Sequence, residues 1–94
     1  MTSIVTRAPW RVSHVEVIDR FRLSVYFADG VNGVVDMSRL VLSQDAGVFS
    51  ALREDSVFRQ VRLELGVVTW PDDIDLAPDA MHAAIKQNGE WVVF

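Results

Sequence analysis

The most informative segment of the sequence is Phe21-Arg22-Leu23-Ser24-Val25-Tyr26-Phe27-Ala28-Asp29-Gly30. Its first seven residues alternate in character, and the apolar members share one face: Phe21, Leu23, Val25 and Phe27. A period of two predicts a half-buried strand. Asp29-Gly30 predicts a hairpin after it, of type I′, a turn that needs positive φ at both central residues.

Strand-like runs flank this segment on both sides. Val15 and Val17 alternate with polar residues before it, and residues 31–37 alternate after it. Together the three runs predict an antiparallel meander. Gly33 lies inside the third run, where it indicates a bulge or a close approach of another backbone.

The middle of the chain predicts short helical pieces and a second hairpin. Residues 38–47 indicate no more than one helical turn, around Leu40 and Leu42. Residues 48–58 have helical spacing, with Asp55 as the N-cap of their second half, and fit one kinked helix or two short ones. The hairpin covers residues 61–70, and the strand residues of its first arm are Val61, Leu63 and Leu65.

The last third predicts a loop and a helix. Pro71 ends the sheet because it has no N–H for a strand ladder. Residues 72–76 form a polar loop with Ile74 and Leu76 as apolar pegs. Pro78 at the first helical position and the stop at 88–89 then bound a helix. The buried stripe of that helix consists of Met81, Ala84 and Ile85.

The segment Glu90–Phe94 is apolar after its first residue, and four such residues are costly to leave in water. It is expected to add an edge strand to the domain's own sheet or, alternatively, to join two chains as a homodimer. Residues 1–94 are therefore expected to form one α+β domain with a loose lead over residues 1–9. The fold is a small, mostly antiparallel sheet with a short helical insert, packed with a C-terminal helix.

Composition excludes several classes of site. The chain has 94 residues, no Cys and a balanced share of apolar and charged residues, which rules out disulfides, thiolate zinc sites and cysteine nucleophiles. No window resembles a membrane span or the core of a signal peptide, so a cytoplasmic location is expected. Nucleophile elbows and glycine-rich phosphate loops are absent. No catalytic residue and no cofactor is predicted.

The net charge of −4 is concentrated near the C-terminus. Residues 72–94 hold five acids against Lys86 alone: Asp72, Asp73, Asp75, Asp79 and Glu90. Such a segment suits a small basic partner protein. A second hypothesis places a metal ion or a small molecule at the corner between Asp75 and His82, because Asp79 and His82 share a helix face. We expect no cation to bind there, since an exposed Asp–His pair near a helix start explains the same pattern.

The solvent face of the second strand offers a third hypothesis. Arg20, Arg22 and Tyr26 combine basic and aromatic side chains, as surfaces that stack single-stranded nucleic acid do. An ordinary solvated sheet face is the favoured explanation of these residues. Because the chain carries no cluster of Lys and Arg, nucleic acid is the alternative partner and not the leading one.

The order of these motifs resembles the small bacterial domain-of-unknown-function family numbered twenty-four forty-two, over roughly residues 11–85. The segments that carry the resemblance are Phe21–Gly30, Gly33–Asp36, Val48-Phe49 with Leu52–Asp55 and Phe58, Val68–Pro71, and Asp75–Asp79. The Trp-Pro and Asp-Leu-Ala-Pro-Asp segments are the most specific. The family usually has Asn-Gly where this chain has Asp72-Asp73, which removes the residue best suited to a left-handed turn.

The resemblance implies a compact α+β domain with no catalytic residue to carry over. Members are often encoded beside another small protein, in arrangements that suggest toxin–antitoxin pairs. The leading expectation is therefore a non-enzymatic protein-interaction domain of antitoxin-like role. The residues expected to bind its partner are Asp72, Asp73, Asp75, Asp79, Trp91 and Phe94.

Overall fold

The computed structural model describes residues 10–94 and shows an α+β fold, as predicted. The predicted lead over residues 1–9 lies outside the described residues. The strands are β1 (Val12–Asp19), β2 (Arg22–Phe27), β3 (Asn32–Asp36), β4 (Arg62–Glu64), β5 (Val67–Trp70), β6 (Ile74–Asp75) and β7 (Glu90–Val92). The helices are α1 (Ser38–Val41), α2 (Asp55–Phe58) and α3 (Pro78–Asn88), with 3-10 turns at Gly47–Arg53 and Pro71–Asp73.

Two sheets form the framework. The larger has the order β1-β2-β3-β7, in which the first three strands are the predicted antiparallel meander and β7 runs parallel to β3. The smaller is antiparallel, with the order β4-β5-β6. The two-residue strand β6 lies within the segment that we predicted to be loop, and its pegs Ile74 and Leu76 are buried as expected.

One apolar cluster joins the two sheets and the helices. The sequence predicts eight residues to be buried together: Leu23, Val25, Phe27, Val35, Leu52, Phe58, Leu63 and Ile85. Seven of them are buried in the structure. The eighth, Leu63, is only half-buried, because the short strand β4 packs against the cluster from its rim. The Trp70 ring stacks on Phe58, and its Nε1–H donates a 2.8 Å hydrogen bond to the Phe58 carbonyl.

The turns of the two predicted hairpins, β2–β3 and β4–β5, differ from the prediction. Asp29-Gly30 does turn the chain, but only Gly30 has positive φ (94°), so the turn is not type I′. The Phe27 N–H donates to the Val31 carbonyl and the Gly30 N–H donates to the Phe27 carbonyl, so residues 28–30 form a three-residue loop that ends in one left-handed residue. Asp29 Oδ1 accepts from the Val31 N–H. Positive φ at two successive residues is found instead at Leu65-Gly66, between β4 and β5.

Leu65 is therefore in the turn, not on the strand face where the alternation predicted it. Its φ is 52° and its side chain is 87% exposed. The prediction failed because a two-residue hairpin loop needs both central residues, and Gly66 supplies only one.

Gly33 marks a close approach of backbone, and the register of β2 with β3 shows no bulge there. A Cβ at this position would lie 2.4 Å from the Gly89 carbonyl oxygen and 2.6 Å from Ile85 Cγ2. The end of α3 and the start of β7 therefore lie directly against β3. Gly89 itself ends α3 in the left-handed conformation, as predicted.

The helical insert consists of separate short pieces. Val41 is the buried residue of α1, whereas Leu42 is 59% exposed, because the helix ends before Leu42 can turn inward. The N-cap of α2 is Glu54, and Asp55 is its first helical residue, so the helix begins one position earlier than predicted. Arg53 ties the pieces together by donating to the carbonyls of Val41 and Ser43 at 2.8 and 2.9 Å.

Candidate functional site

The acidic segment Asp72–Asp79 projects from the edge of the smaller sheet. Asp72 and Asp73 form the turn between β5 and β6, and both have left-handed backbone, with φ of 66° and 61°. Ile74 and Leu76, buried in the core, fix the chain on the far side of this turn. All four carboxylates of the segment are exposed: Asp72, Asp73, Asp75 and Asp79.

No salt bridge within residues 10–94 involves these four carboxylates. The cations of the described chain that form ion pairs do so elsewhere, in Arg22–Asp19, Arg59–Asp55 and Arg62–Glu64. Asp79 accepts a hydrogen bond from the Ala80 N–H at the start of α3, which is a favourable place for negative charge. The segment therefore presents concentrated negative charge on a backbone anchored at both ends.

The hypothesised Asp75–His82 corner is not assembled. His82 Nε2 lies 2.8 Å from Asp29 Oδ2, in the β2–β3 turn, and the imidazole packs edge-on against Phe27 at 4.9 Å. His82 is turned toward the sheet because its ring completes the cover over Phe27. Within residues 10–94, no three His, Asp or Glu side chains are grouped as metal ligands.

Asp29 links the β2–β3 turn to helix α3. One carboxylate oxygen accepts from the Val31 N–H and the other pairs with His82. The Val31 hydrogen bond, and secondarily that of His82, hold the pKa of Asp29 below its ordinary value. Asp29 and His82 are 53 positions apart in the sequence. No local sequence pattern at either residue therefore predicted that they would be in contact.

The Arg20, Arg22 and Tyr26 surface is partly neutralised. Arg22 pairs with Asp19 through contacts of 2.6 to 3.2 Å, which lower the pKa of that carboxyl. The Arg20 guanidinium lies over the Phe21 ring at 4.9 Å. Tyr26 is 44% exposed beside His14. Of the two guanidinium charges on this surface, that of Arg22 is compensated by a carboxylate, whereas Arg20 forms no salt bridge within residues 10–94.

The two aromatic residues of the C-terminal segment have different surroundings. Glu90–Val92 forms β7 in the chain's own sheet, where the half-buried Trp91 packs against the core. Phe94 is 79% exposed, and its ring lies under the Arg39 guanidinium at 5.1 Å. Of the two, Phe94 is the one available to a partner. The Arg39 contact was not predicted, because α1 and the C-terminal residues are far apart in sequence.

None of the helices in residues 10–94 combines the length and the apolarity needed to cross a bilayer.

Comparison with curated proteins and with solved structures gave no match. The sequence model of one family, described as "Protein of unknown function (DUF2442)", matches residues 12–87. Since this match covers the meander, the helical insert, the second hairpin and nearly all of α3, the chain belongs to the DUF2442 family.

Proposed function

We propose that this domain is a non-enzymatic protein-interaction domain that binds a small basic partner protein through the acidic segment Asp72–Asp79. One observation carries the proposal. Asp72 and Asp73 are adjacent, exposed and left-handed, and no salt bridge within residues 10–94 involves either of them.

The left-handed backbone of this turn and its two adjacent negative charges both destabilise the folded state. Left-handed backbone costs an L-residue about 1–2 kcal/mol, although Asp tolerates it better than most residues. Two neighbouring carboxylates also repel each other. A turn that breaks local rules without a compensating contact is typical of a site kept for recognition. Because Ile74 and Leu76 are buried beside it, the segment is ordered before any partner arrives.

The role of such a domain in a two-gene pair follows from the same charge. A toxin that acts on nucleic acid needs a basic surface, and an acidic segment would cover that surface in an antitoxin-like complex. This makes the partner a small basic protein encoded beside the domain, and the cytoplasm the expected place of the complex.

The experiment is co-expression with the product of the adjacent gene, followed by purification and titration. The test variant replaces three carboxylates by amides: Asp72→Asn, Asp73→Asn and Asp75→Asn. The control variant removes the same charge from exposed acids elsewhere: Glu16→Gln, Asp45→Asn and Glu54→Gln. Asn also tolerates left-handed backbone, so the test variant keeps the turn.

We expect the test variant to bind about tenfold or more weakly, mainly through slower association, and the control to bind nearly as the unchanged protein does. Added salt should weaken the unchanged complex and have less effect on the test variant. Equal affinities of the two variants would overturn the proposal, as would the failure of the adjacent product to form a complex.

A further inference from the structure

The β7 edge of the larger sheet is a second surface that could bind another chain. In residues 10–94 the sheet ends at β7, which is bonded on one side only. Gly89 offers its carbonyl to the Val34 N–H, and the Val93 N–H donates to the Asp36 carbonyl. In a parallel ladder these bonds use the peptide groups of alternate residues, so those of Glu90 and Val92 point away from β3.

We propose that this edge pairs with β7 of a second copy of the same chain, antiparallel and with the dyad axis at Val92. This inference concerns a different surface from the acidic segment and is independent of the proposed function. An antiparallel C2 pair is self-complementary, because each contact between two residues occurs a second time with the two chains exchanged. With Val92 opposite Val92, Glu90 comes opposite Phe94 of the other copy.

The backbone of β7 fits this register. Residues 90, 92 and 94 have the same parity in the strand, and the first two direct their N–H and C=O groups outward. In an antiparallel sheet, residues that exchange both hydrogen bonds lie directly opposite each other, with Cα atoms about 5.5 Å apart. The proposed register uses that kind of pair both at Val92 and at Glu90 with Phe94.

The side chains supply charge complementarity. The exposed Glu90 has no salt bridge within residues 10–94, and neither has Arg39. Arg39 covers the Phe94 ring at 5.1 Å. Glu90 of one copy, placed opposite Phe94 of the other, would therefore lie beside that copy's Arg39. The dyad produces this ion pair twice, and the Phe94 rings, 79% exposed in the single chain, become covered.

A second copy fits this edge better than the basic partner does. Glu90 in β7 and Arg39 over the Phe94 ring carry opposite charges, whereas the acidic segment carries one sign only. Because β7 has three residues, the interface is small, and we expect a weak, concentration-dependent dimer.

The test is a charge swap measured by analytical ultracentrifugation of the full chain across about two decades of concentration. Glu90→Arg and Arg39→Glu should each weaken dimerisation about tenfold or more, since each sets like charges against each other. The double variant Glu90→Arg/Arg39→Glu should restore it. Asp45→Arg, which reverses a charge in an exposed loop, is the control and should leave the dimer unchanged.

Val92→Pro provides a second readout, because proline removes an N–H that points away from β3. It should give a monomer that still melts cooperatively. The inference is overturned by a full chain that stays monomeric at every concentration. It is also overturned by a dimer that tolerates either single reversal, or by a double variant that fails to restore association.

Discussion

Replacing Asp72-Asp73 by Asn-Gly should stabilise the fold, although two charged residues are lost. Asp73 has φ of 61°, a conformation that glycine adopts without the steric cost paid by other residues. That cost is about 1–2 kcal/mol for an ordinary L-residue and is at its low end for Asp. The added freedom of glycine in the unfolded chain offsets about 0.5–1 kcal/mol.

Asn at position 72 keeps a residue that tolerates left-handed backbone, and it removes the repulsion between neighbouring carboxylates. We therefore expect Asp72→Asn/Asp73→Gly to raise the free energy of unfolding by about 0.5 kcal/mol, and Tm by about 2–4 °C in a domain of this size. Urea denaturation and a thermal melt measure both quantities.

Asp45→Gly is the matched control. Asp45 is exposed and has no positive φ, so glycine brings only its entropic cost there. It should lower stability by about 0.5–1 kcal/mol. A double variant at 72–73 no more stable than the unchanged protein would refute the account of strain in this turn.

Three further predictions concern the turns and the core. Leu65→Asn should raise stability by about 1 kcal/mol, because it gives the second hairpin the Asn-Gly pair that its two left-handed residues favour; a lower Tm would contradict this. Phe58→Ala should cost about 3–5 kcal/mol in urea denaturation, since Phe58 is fully buried under Trp70, and a loss below about 1 kcal/mol would show that the core is wrongly assigned. Asp29→Asn should reduce the loss of stability that acid causes. The pKa of Asp29 is lower in the folded than in the unfolded protein, so its carboxylate stabilises the fold above the unfolded pKa of about 3.9. That stabilisation is lost as the pH falls through the folded pKa, and the variant lacks it at every pH. Denaturation curves between about pH 6 and pH 2 measure this, and parallel losses in the variant and the unchanged protein would contradict it.

The local sequence pattern was sufficient to predict those elements in which it directly determines which side chains are buried or where the element ends. The alternation in residues 21–27 predicted which side chains of β2 are buried, because a strand with one buried face leaves no other register. Pro78 and Gly89 likewise predicted the limits of α3, since each suits one position of a helix. The apolar character of residues 91–94 predicted either an edge strand or a contact between two chains, and Glu90–Val92 pairs with β3 as an edge strand.

Features decided by distant contacts could not be predicted in this way. His82 pairs with Asp29 because α3 crosses the sheet next to the β2–β3 turn, a geometry that no spacing within α3 indicates. The strand β6 has two residues, too few for any period to appear. Leu65 followed the alternation of β4, yet the length of the hairpin loop placed it in the turn.

Mapping the interface residue by residue would show whether the acidic segment Asp72–Asp79 binds the partner. Amide chemical shifts of the isotope-labelled domain are recorded while the unlabelled basic partner encoded beside it is added. We expect the largest shifts at residues 72–79, with smaller changes around Arg20, Arg22 and Tyr26. The largest shifts at those three residues, with none at 72–79, would contradict it.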